Sequence, residues 1–191
     1  MKQLQSATLL GTGMSALRSK GSAPEILIAG IGNIFMADDA FGCEVIRALS
    51  ESSAWPEVAI HDFGIRSYDL AYALIEDYQA VILVDAVSRG AAPGTVFLIE
   101  PEIALSTPAE PANVDPHSMD PVLVIRLAEQ LGGIKAKLYL VGCEPGALDS
   151  DDGQMGLSPC VQAAVPDAVT MINSLVNDLL QEEPLVVAGR E

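Results

Sequence analysis

Short aliphatic runs alternate along the chain with longer stretches in which apolar residues recur at helical spacing. A run of four to eight aliphatic or aromatic residues closed by Gly, Pro or Asp is typical of a β-strand. Four segments meet this description, namely 25–30, 80–85, 95–100 and 135–141, and the shorter apolar run in 57–62 predicts a fifth, short strand. The run 80–84 is apolar at every position, which indicates a strand buried on both faces, as in a parallel sheet.

Four segments between and after these strands predict helices: 39–50, 67–76, 120–132 and 158–180. Ser67 and Ser158 are the predicted N-caps of the second and fourth helices. The connection between the third and fourth strands is too short for a crossover helix, so the fourth strand is predicted to be antiparallel at an edge. The sequence therefore predicts an α/β fold: a three-layer sandwich with a twisted, mostly parallel five-stranded sheet, an antiparallel edge strand and helices on both faces.

The 191 residues suffice for one well-buried domain, predicted over 25–181. Residues 1–24 lack a clean targeting signature and predict a flexible extension, and residues 182–191 predict a loose tail. The Pro-rich stretch 101–116 has no periodicity and predicts a long loop. The chain is expected to be a monomer, because it has no apolar zipper repeat.

Charge and cysteine usage narrow the possible partners. Ten Lys plus Arg against 26 Asp plus Glu give a formal net charge of −16, which disfavours nucleic acid and anionic membranes, although solubility alone also explains such a charge. Every apolar stretch ends well before about 18 residues, so no membrane span is predicted.

Three widely spaced cysteines indicate cytosolic thiols; each is interpreted as a small buried hydrophobe, and only Cys143 is expected near the candidate site.

Asp39, Asp85 and His117 are the candidate metal ligands. Asp39 follows the first strand, Asp85 ends the third and His117 ends the Pro-rich loop. Ligands of open α/β sheets bind outside the carboxyl ends of the strands, where such groups converge. Two carboxylates and one imidazole suit nickel, zinc, iron or manganese better than calcium.

Each of these residues also has a structural interpretation. Asp38 and Asp39 could be acids at a helix start, and Asp38 is assigned as a cap or as support for Asp39. Asp85 could cap the turn that follows it or pair with Arg89. His117 could be a simple surface histidine. His61 alternates with Asp62 on the second strand and is interpreted as structural.

Other enzyme classes are poorly supported. The segment 30–33 resembles a dinucleotide-binding turn, but the third glycine is replaced by Phe35, and two adjacent aspartates would repel a diphosphate. The chain has no HExxH, and GLSPC around Ser158 is not GxSxG. A serine or cysteine hydrolase is therefore not indicated.

Five motifs in order resemble the nickel-iron hydrogenase maturation endopeptidases: GIGNIFMADDAFG, VILVDAVSRGAAPGTVFLIE, DPHSMDP, LYLVGCEP and GLSP. The resemblance implies a cytoplasmic peptidase that removes a C-terminal extension from the hydrogenase large-subunit precursor after nickel insertion. The family's nickel-contacting residues match Asp39, Asp85 and His117. Two departures stand out: Asp39 replaces a frequent Glu, and the segment 62–67 keeps only the acid of an Asp-Gly-Gly-Thr-like motif.

This resemblance leads to a mechanistic hypothesis. Nickel arrives with the precursor and is shared by Asp39, Asp85 and His117, with zinc or cadmium as a surrogate in vitro. The metal polarises the scissile carbonyl or lowers the pKa of a bound water. Asp38 or Asp62 could act as the catalytic base of this aspartic-type endopeptidase. The alternative is a non-catalytic metal carrier or precursor-holding chaperone.

Overall fold

A computed structural model describes residues 25–52, 55–101, 121–146 and 155–181. The strands are β1 (Ile26–Ile31), β2 (Val58–Gly64), β3 (Ala80–Ala86), β4 (Val96–Ile99) and β5 (Lys137–Cys143). The helices are α1 (Phe41–Ser52), α2 (Ser67–Leu74), α3 (Pro121–Leu131) and α4 (Pro159–Gln181), with a 3₁₀ helix (Ala37–Ala40) before α1. Every predicted strand and helix has a counterpart. The predicted extension 1–24, the tail 182–191 and nearly all of the Pro-rich loop lie outside the described residues.

The sheet has the strand order β2-β1-β3-β5-β4. All neighbouring strands run parallel except β4, which pairs antiparallel with β5, as predicted. The connection between β3 and β4 stays at one end of the sheet, because Val87 N–H donates to the carbonyl of Cys143 (2.9 Å) and Gly94 N–H to that of Glu144 (2.8 Å). A short connection that never crosses the sheet makes the returning strand antiparallel.

Two apolar cores on opposite faces of the sheet confirm the three-layer arrangement. Successive residues of a strand point to opposite faces, so β1 and β3 contribute alternate side chains to each core. One core includes Ile28 and Ile82 and is covered by α1 and α4. The other includes Leu27 and Leu83 and is covered by α2 and α3. None of the helices in the described ranges has the length and apolar character that a bilayer crossing requires.

Ser158 takes its predicted position before a helix, whereas Ser67 does not. Ser67 is not the N-cap of α2: Arg66 takes that position, and Leu70 N–H donates to its carbonyl to close the first turn. The Ser67 hydroxyl is buried and has no hydrogen-bond partner among the described residues. Ser158 precedes α4 as predicted, and its carbonyl accepts from Gln162 N–H at 2.8 Å.

Candidate active site

The start of α1 lies directly on the carboxyl ends of β1 and β3. At Gly42, a Cβ atom would lie 2.2 Å from the carbonyl oxygens of both Ile31 and Val84. Only a residue without a side chain allows this approach. The approach brings the 3₁₀ helix, which carries Asp39, onto the ends of the same two strands. Asp85 follows Val84 directly, so two of the predicted ligands belong to elements that meet here.

Asp39 is half-buried, and its Oδ2 accepts a hydrogen bond from Asn33 N–H at 2.6 Å. Burial raises the pKa of Asp39 above its ordinary value of 3.8, against the opposing effect of the Asn33 hydrogen bond. A carboxylate that has lost hydration is stabilised by a nearby cation. The local chemistry of Asp39 is therefore suited to a metal ligand.

Asp85 is buried, with 5% of its surface exposed. Its Oδ1 accepts from Ala86 N–H at 2.9 Å, so it makes the turn contact that its structural interpretation requires. The Arg89 guanidinium, the other partner considered, lies over the Phe97 ring at 5.2 Å from its centroid. The Ala86 hydrogen bond orients the Asp85 carboxylate near the end of β3, where the Asp85 backbone is in register with Gly142 of β5.

His117 lies outside the described residues. Within the described part of the chain, no group of three or more His, Cys, Asp or Glu side chains is arranged to hold a metal ion. The three-ligand site of Asp39, Asp85 and His117 therefore stays a prediction. The structure places its two carboxylates on adjoining elements.

Asp38 is fully buried and connects three parts of the chain. Its Oδ1 accepts from Ser158 N–H at 2.6 Å, and its Oδ2 accepts from Gly146 N–H at 2.8 Å and from the Ser158 hydroxyl at 2.9 Å. These bonds tie the 3₁₀ helix to the loop that follows β5 and to the residue that precedes α4. This arrangement favours the interpretation of Asp38 as a supporting residue, and Asp62 is kept as the candidate base.

Asp62 is exposed on β2 and lines a cleft of about 300 Å³ together with Cys43 and Phe63. Gly64 N–H donates to its Oδ1 at 2.9 Å, and the Arg66 guanidinium donates to its carbonyl oxygen. These contacts fix the backbone and carboxylate of Asp62 at the edge of the cleft. His61, predicted to be structural, contacts the Phe63 ring edge-on at 6.1 Å between centroids.

Cys43 corrects the expectation that only Cys143 lies near the site. Its buried Sγ lies 3.5 Å from the carbonyl oxygen of Gly32, inside the cleft lined by Asp62. Burial, followed by the charge of Asp62 and a hydrogen bond to it, raises the pKa of Cys43 to about 12. Burial, followed by the charge of Asp38, raises the pKa of Cys143 to about 11. Both thiols stay protonated near neutral pH, so neither is an activated nucleophile.

Glu144 is a structural residue of the site that the sequence analysis missed. Its buried carboxylate accepts from Arg89 N–H (2.7 Å), Gly90 N–H (3.2 Å) and the Ser88 hydroxyl (3.2 Å). Backbone hydrogen bonds, chiefly from Arg89, lower the pKa of Glu144 below its ordinary value of 4.5 despite its burial. The carboxylate thereby holds the loop that follows Asp85. The signal was available in the sequence, since Glu144 directly follows a buried strand, as Asp85 follows the apolar run of β3.

We expect Glu144→Gln to lower the melting temperature at pH 7, because an amide NH₂ would face backbone donors. Because the pKa of Glu144 is lower in the folded state, its hydrogen bonds contribute fully to the free energy of unfolding above its ordinary pKa. This contribution is lost as pH falls through the folded-state pKa. The difference between wild type and Glu144→Gln should therefore shrink below about pH 4. Thermal melts between pH 3 and 7 measure this difference in melting temperature, with Glu57→Gln, at an exposed position, as the control. A difference that stays constant with pH would contradict the prediction.

The comparisons with known proteins agree on one family. The family model described as hydrogenase maturation protease matches residues 43–175, more than half of the chain. The hydrogenase 2 maturation protease of Escherichia coli (strain K12) is 30% identical over 149 residues, covering 77% of this chain and 87% of that protein. A putative hydrogenase maturation protease of Methanocaldococcus jannaschii is 30% identical over 151 residues, covering 78% and 94%.

Solved structures give the same result. The hydrogenase maturating endopeptidase HybD from E. coli superimposes with a TM-score of 0.65 and 26% identity, covering 81% of this chain and 93% of that one. That protein therefore shares the overall α/β fold described above. The chain belongs to the hydrogenase maturation protease family, whose members are peptidases.

Proposed function

We propose that this peptidase removes the C-terminal extension of a [NiFe] hydrogenase large-subunit precursor and recognises the precursor through its bound nickel. The observation that carries the proposal is the meeting of the Asp39 and Asp85 segments at the carboxyl ends of β1 and β3. This is the edge at which open α/β sheets bind their ligands. The cytoplasmic location and the monomeric state implied by the sequence remain part of the proposal.

Nickel is part of the substrate in this proposal. Asp39, Asp85 and His117 would contact the ion that the precursor delivers, and zinc or cadmium would substitute for it in vitro. The chemistry of the donors supports this: Asp39 has a raised pKa because of burial, and the Asp85 carboxylate is almost fully removed from solvent. A divalent cation offsets the loss of hydration at both carboxylates. When bound, it supplies positive charge that polarises the scissile carbonyl.

Asp62 is the proposed catalytic base. Its carboxylate is exposed at the cleft, where a water molecule and a peptide can reach it. Asp62 takes a proton from water as the water oxygen bonds to the scissile carbonyl carbon. The proton then passes to the leaving amine as the C–N bond breaks. General base assistance of this kind contributes about 10²–10⁴-fold.

Asp62→Asn should lower the rate of precursor processing by about 100-fold, because the amide cannot accept the proton. Nickel-dependent binding of the precursor should persist, since Asp62 is not a proposed ligand. His117→Ala should instead lose the nickel-dependent binding. Intact mass spectrometry follows cleavage and sedimentation follows the complex, with nickel-loaded and nickel-free precursor compared for wild type and each variant.

Three results would contradict parts of the proposal. Equal processing of nickel-free precursor would remove nickel as the recognition element. A metal-dependent complex with an unchanged precursor mass would support the carrier or chaperone alternative. A tight stoichiometric nickel site in the isolated protein would show that nickel is a resident cofactor rather than a component of the substrate.

A further inference from the structure

Three consecutive large apolar side chains are exposed beside the candidate site. Ile34, Phe35 and Met36, here called the apolar turn, have 46%, 60% and 41% of their surfaces exposed. Single exposed apolar residues are common on protein surfaces, but a contiguous apolar patch usually marks an interaction site. The apolar turn therefore calls for a functional explanation.

The apolar turn is held in place by hydrogen bonds on both sides. Phe35 N–H donates to Asn33 Oδ1 and Met36 N–H donates to the Asn33 carbonyl, both at 3.0 Å. Asp39 N–H donates to the Met36 carbonyl at 2.9 Å, and Ala37 takes a left-handed conformation with φ of 42°. A built turn that includes an unfavourable residue conformation presents these side chains to solvent in a defined position.

The apolar turn borders the cleft of the proposed base. Ile34 and Phe35 line the same 300 Å³ cleft as Asp62, together with Phe63 and Ile65. Ile34 and Asp62 also line a second cleft, of about 590 Å³, on the side of α1. The two clefts share these residues, so they adjoin at the proposed base. A peptide that lies in the smaller cleft would contact the apolar turn next to Asp62.

We propose that the apolar turn is a specificity-determining surface, which binds an apolar stretch of the protein substrate beside the scissile bond. This inference rests on the proposed function. The protein substrate is the expected occupant of this surface, because Ile34 and Phe35 line the cleft in which Asp62 must meet the scissile peptide bond. Asn33 connects the two roles: its carbonyl and side chain hold the apolar turn, while its N–H binds the Asp39 carboxylate.

The test compares Phe35→Ser with Leu98→Ser. Leu98 is 42% exposed on β4, at the opposite edge of the sheet from β2, and serves as the matched control. Initial rates of cleavage of nickel-loaded large-subunit precursor are measured by intact mass as a function of precursor concentration. Phe35→Ser should raise KM at least about tenfold with kcat nearly unchanged, since burying one large apolar side chain accounts for such a change. Leu98→Ser should match wild type in both constants.

The outcomes separate this inference from the proposed function. Cleavage by wild type with an unchanged KM in Phe35→Ser would overturn the docking role and leave the proposed function standing. A fall in kcat at constant KM would also overturn the docking role. So would a wild-type dimer that Phe35→Ser abolishes while KM stays constant. If wild type does not cleave the precursor, the proposed function falls, and the docking role falls with it. If Phe35→Ser melts below wild type, Ile34→Ser repeats the comparison, because Ile34 is also exposed and lines both clefts.

Discussion

Asp38→Ala is expected to unfold at a markedly lower temperature than wild type. The substitution leaves three donors without their acceptor, namely Gly146 N–H, Ser158 N–H and the Ser158 hydroxyl. Hydrogen bonds to a charged group contribute more than neutral ones, and three of them are lost at a fully buried carboxylate, so the expected loss is about 3 kcal/mol or more. For a chain of this size this lowers the melting temperature by about 6–12 °C.

Two companion variants make the Asp38 result specific. Asp77→Ala removes a carboxylate that pairs with Lys135 at 2.8 Å on the surface, where solvent screens the interaction, and should change the melting temperature little. Asp38→Asn keeps the shape and one acceptor oxygen, so it should fall between wild type and Asp38→Ala. An Asp38→Ala protein with wild-type stability and no processing activity would contradict the structural role and restore Asp38 as a candidate base.

Gly42→Ala is the second substitution with a large expected effect. The added methyl group would lie 2.2 Å from two main-chain carbonyl oxygens, those of Ile31 and Val84, and neither belongs to a flexible side chain. The helix must therefore move off the sheet, which we expect to cost about 3 kcal/mol or more. The movement also shifts Asp39 relative to Asp85, so precursor processing should fall together with stability.

Urea unfolding of Gly42→Ala and of Gly132→Ala tests this expectation. A Cβ at Gly132 would meet only Ile75 side-chain atoms at 3.8–4.0 Å, an ordinary contact. The Gly132 variant should therefore unfold close to the wild-type midpoint. Equal midpoints for the two variants would show that the close approach of α1 to the sheet is not a constraint on stability.

Much of the fold could be predicted because the responsible signals are local. The run 80–84 is apolar at every position because its side chains alternate between two buried cores, and all five residues are buried in β3. The short connection before β4 was enough to predict its antiparallel pairing. Ser67 failed as a cap because the helix closes its first turn on Arg66, one residue earlier, and residue type alone does not fix that choice.

The site was less predictable because its contacts join distant parts of the chain. The hydrogen-bond partners of Asp38 are 108 and 120 residues away in sequence. The sequence could therefore suggest that Asp38 supports Asp39, but not which groups Asp38 itself binds. Cys43 reaches the cleft only because α1 lies against the end of β1. Glu144, by contrast, could have been found by the rule applied to Asp85, that an acid ending a buried strand needs a partner.

The Arg66 side chain has a consequence for how the molecule meets other chains. β2 is at an edge of the sheet, and an edge strand with open backbone groups is a template on which another chain can polymerise. The Arg66 guanidinium occupies one such acceptor, the carbonyl oxygen of Asp62, and carries a positive charge to the edge. Intermolecular strand addition at this point must first displace that guanidinium, which disfavours pairing with another chain beside the candidate site.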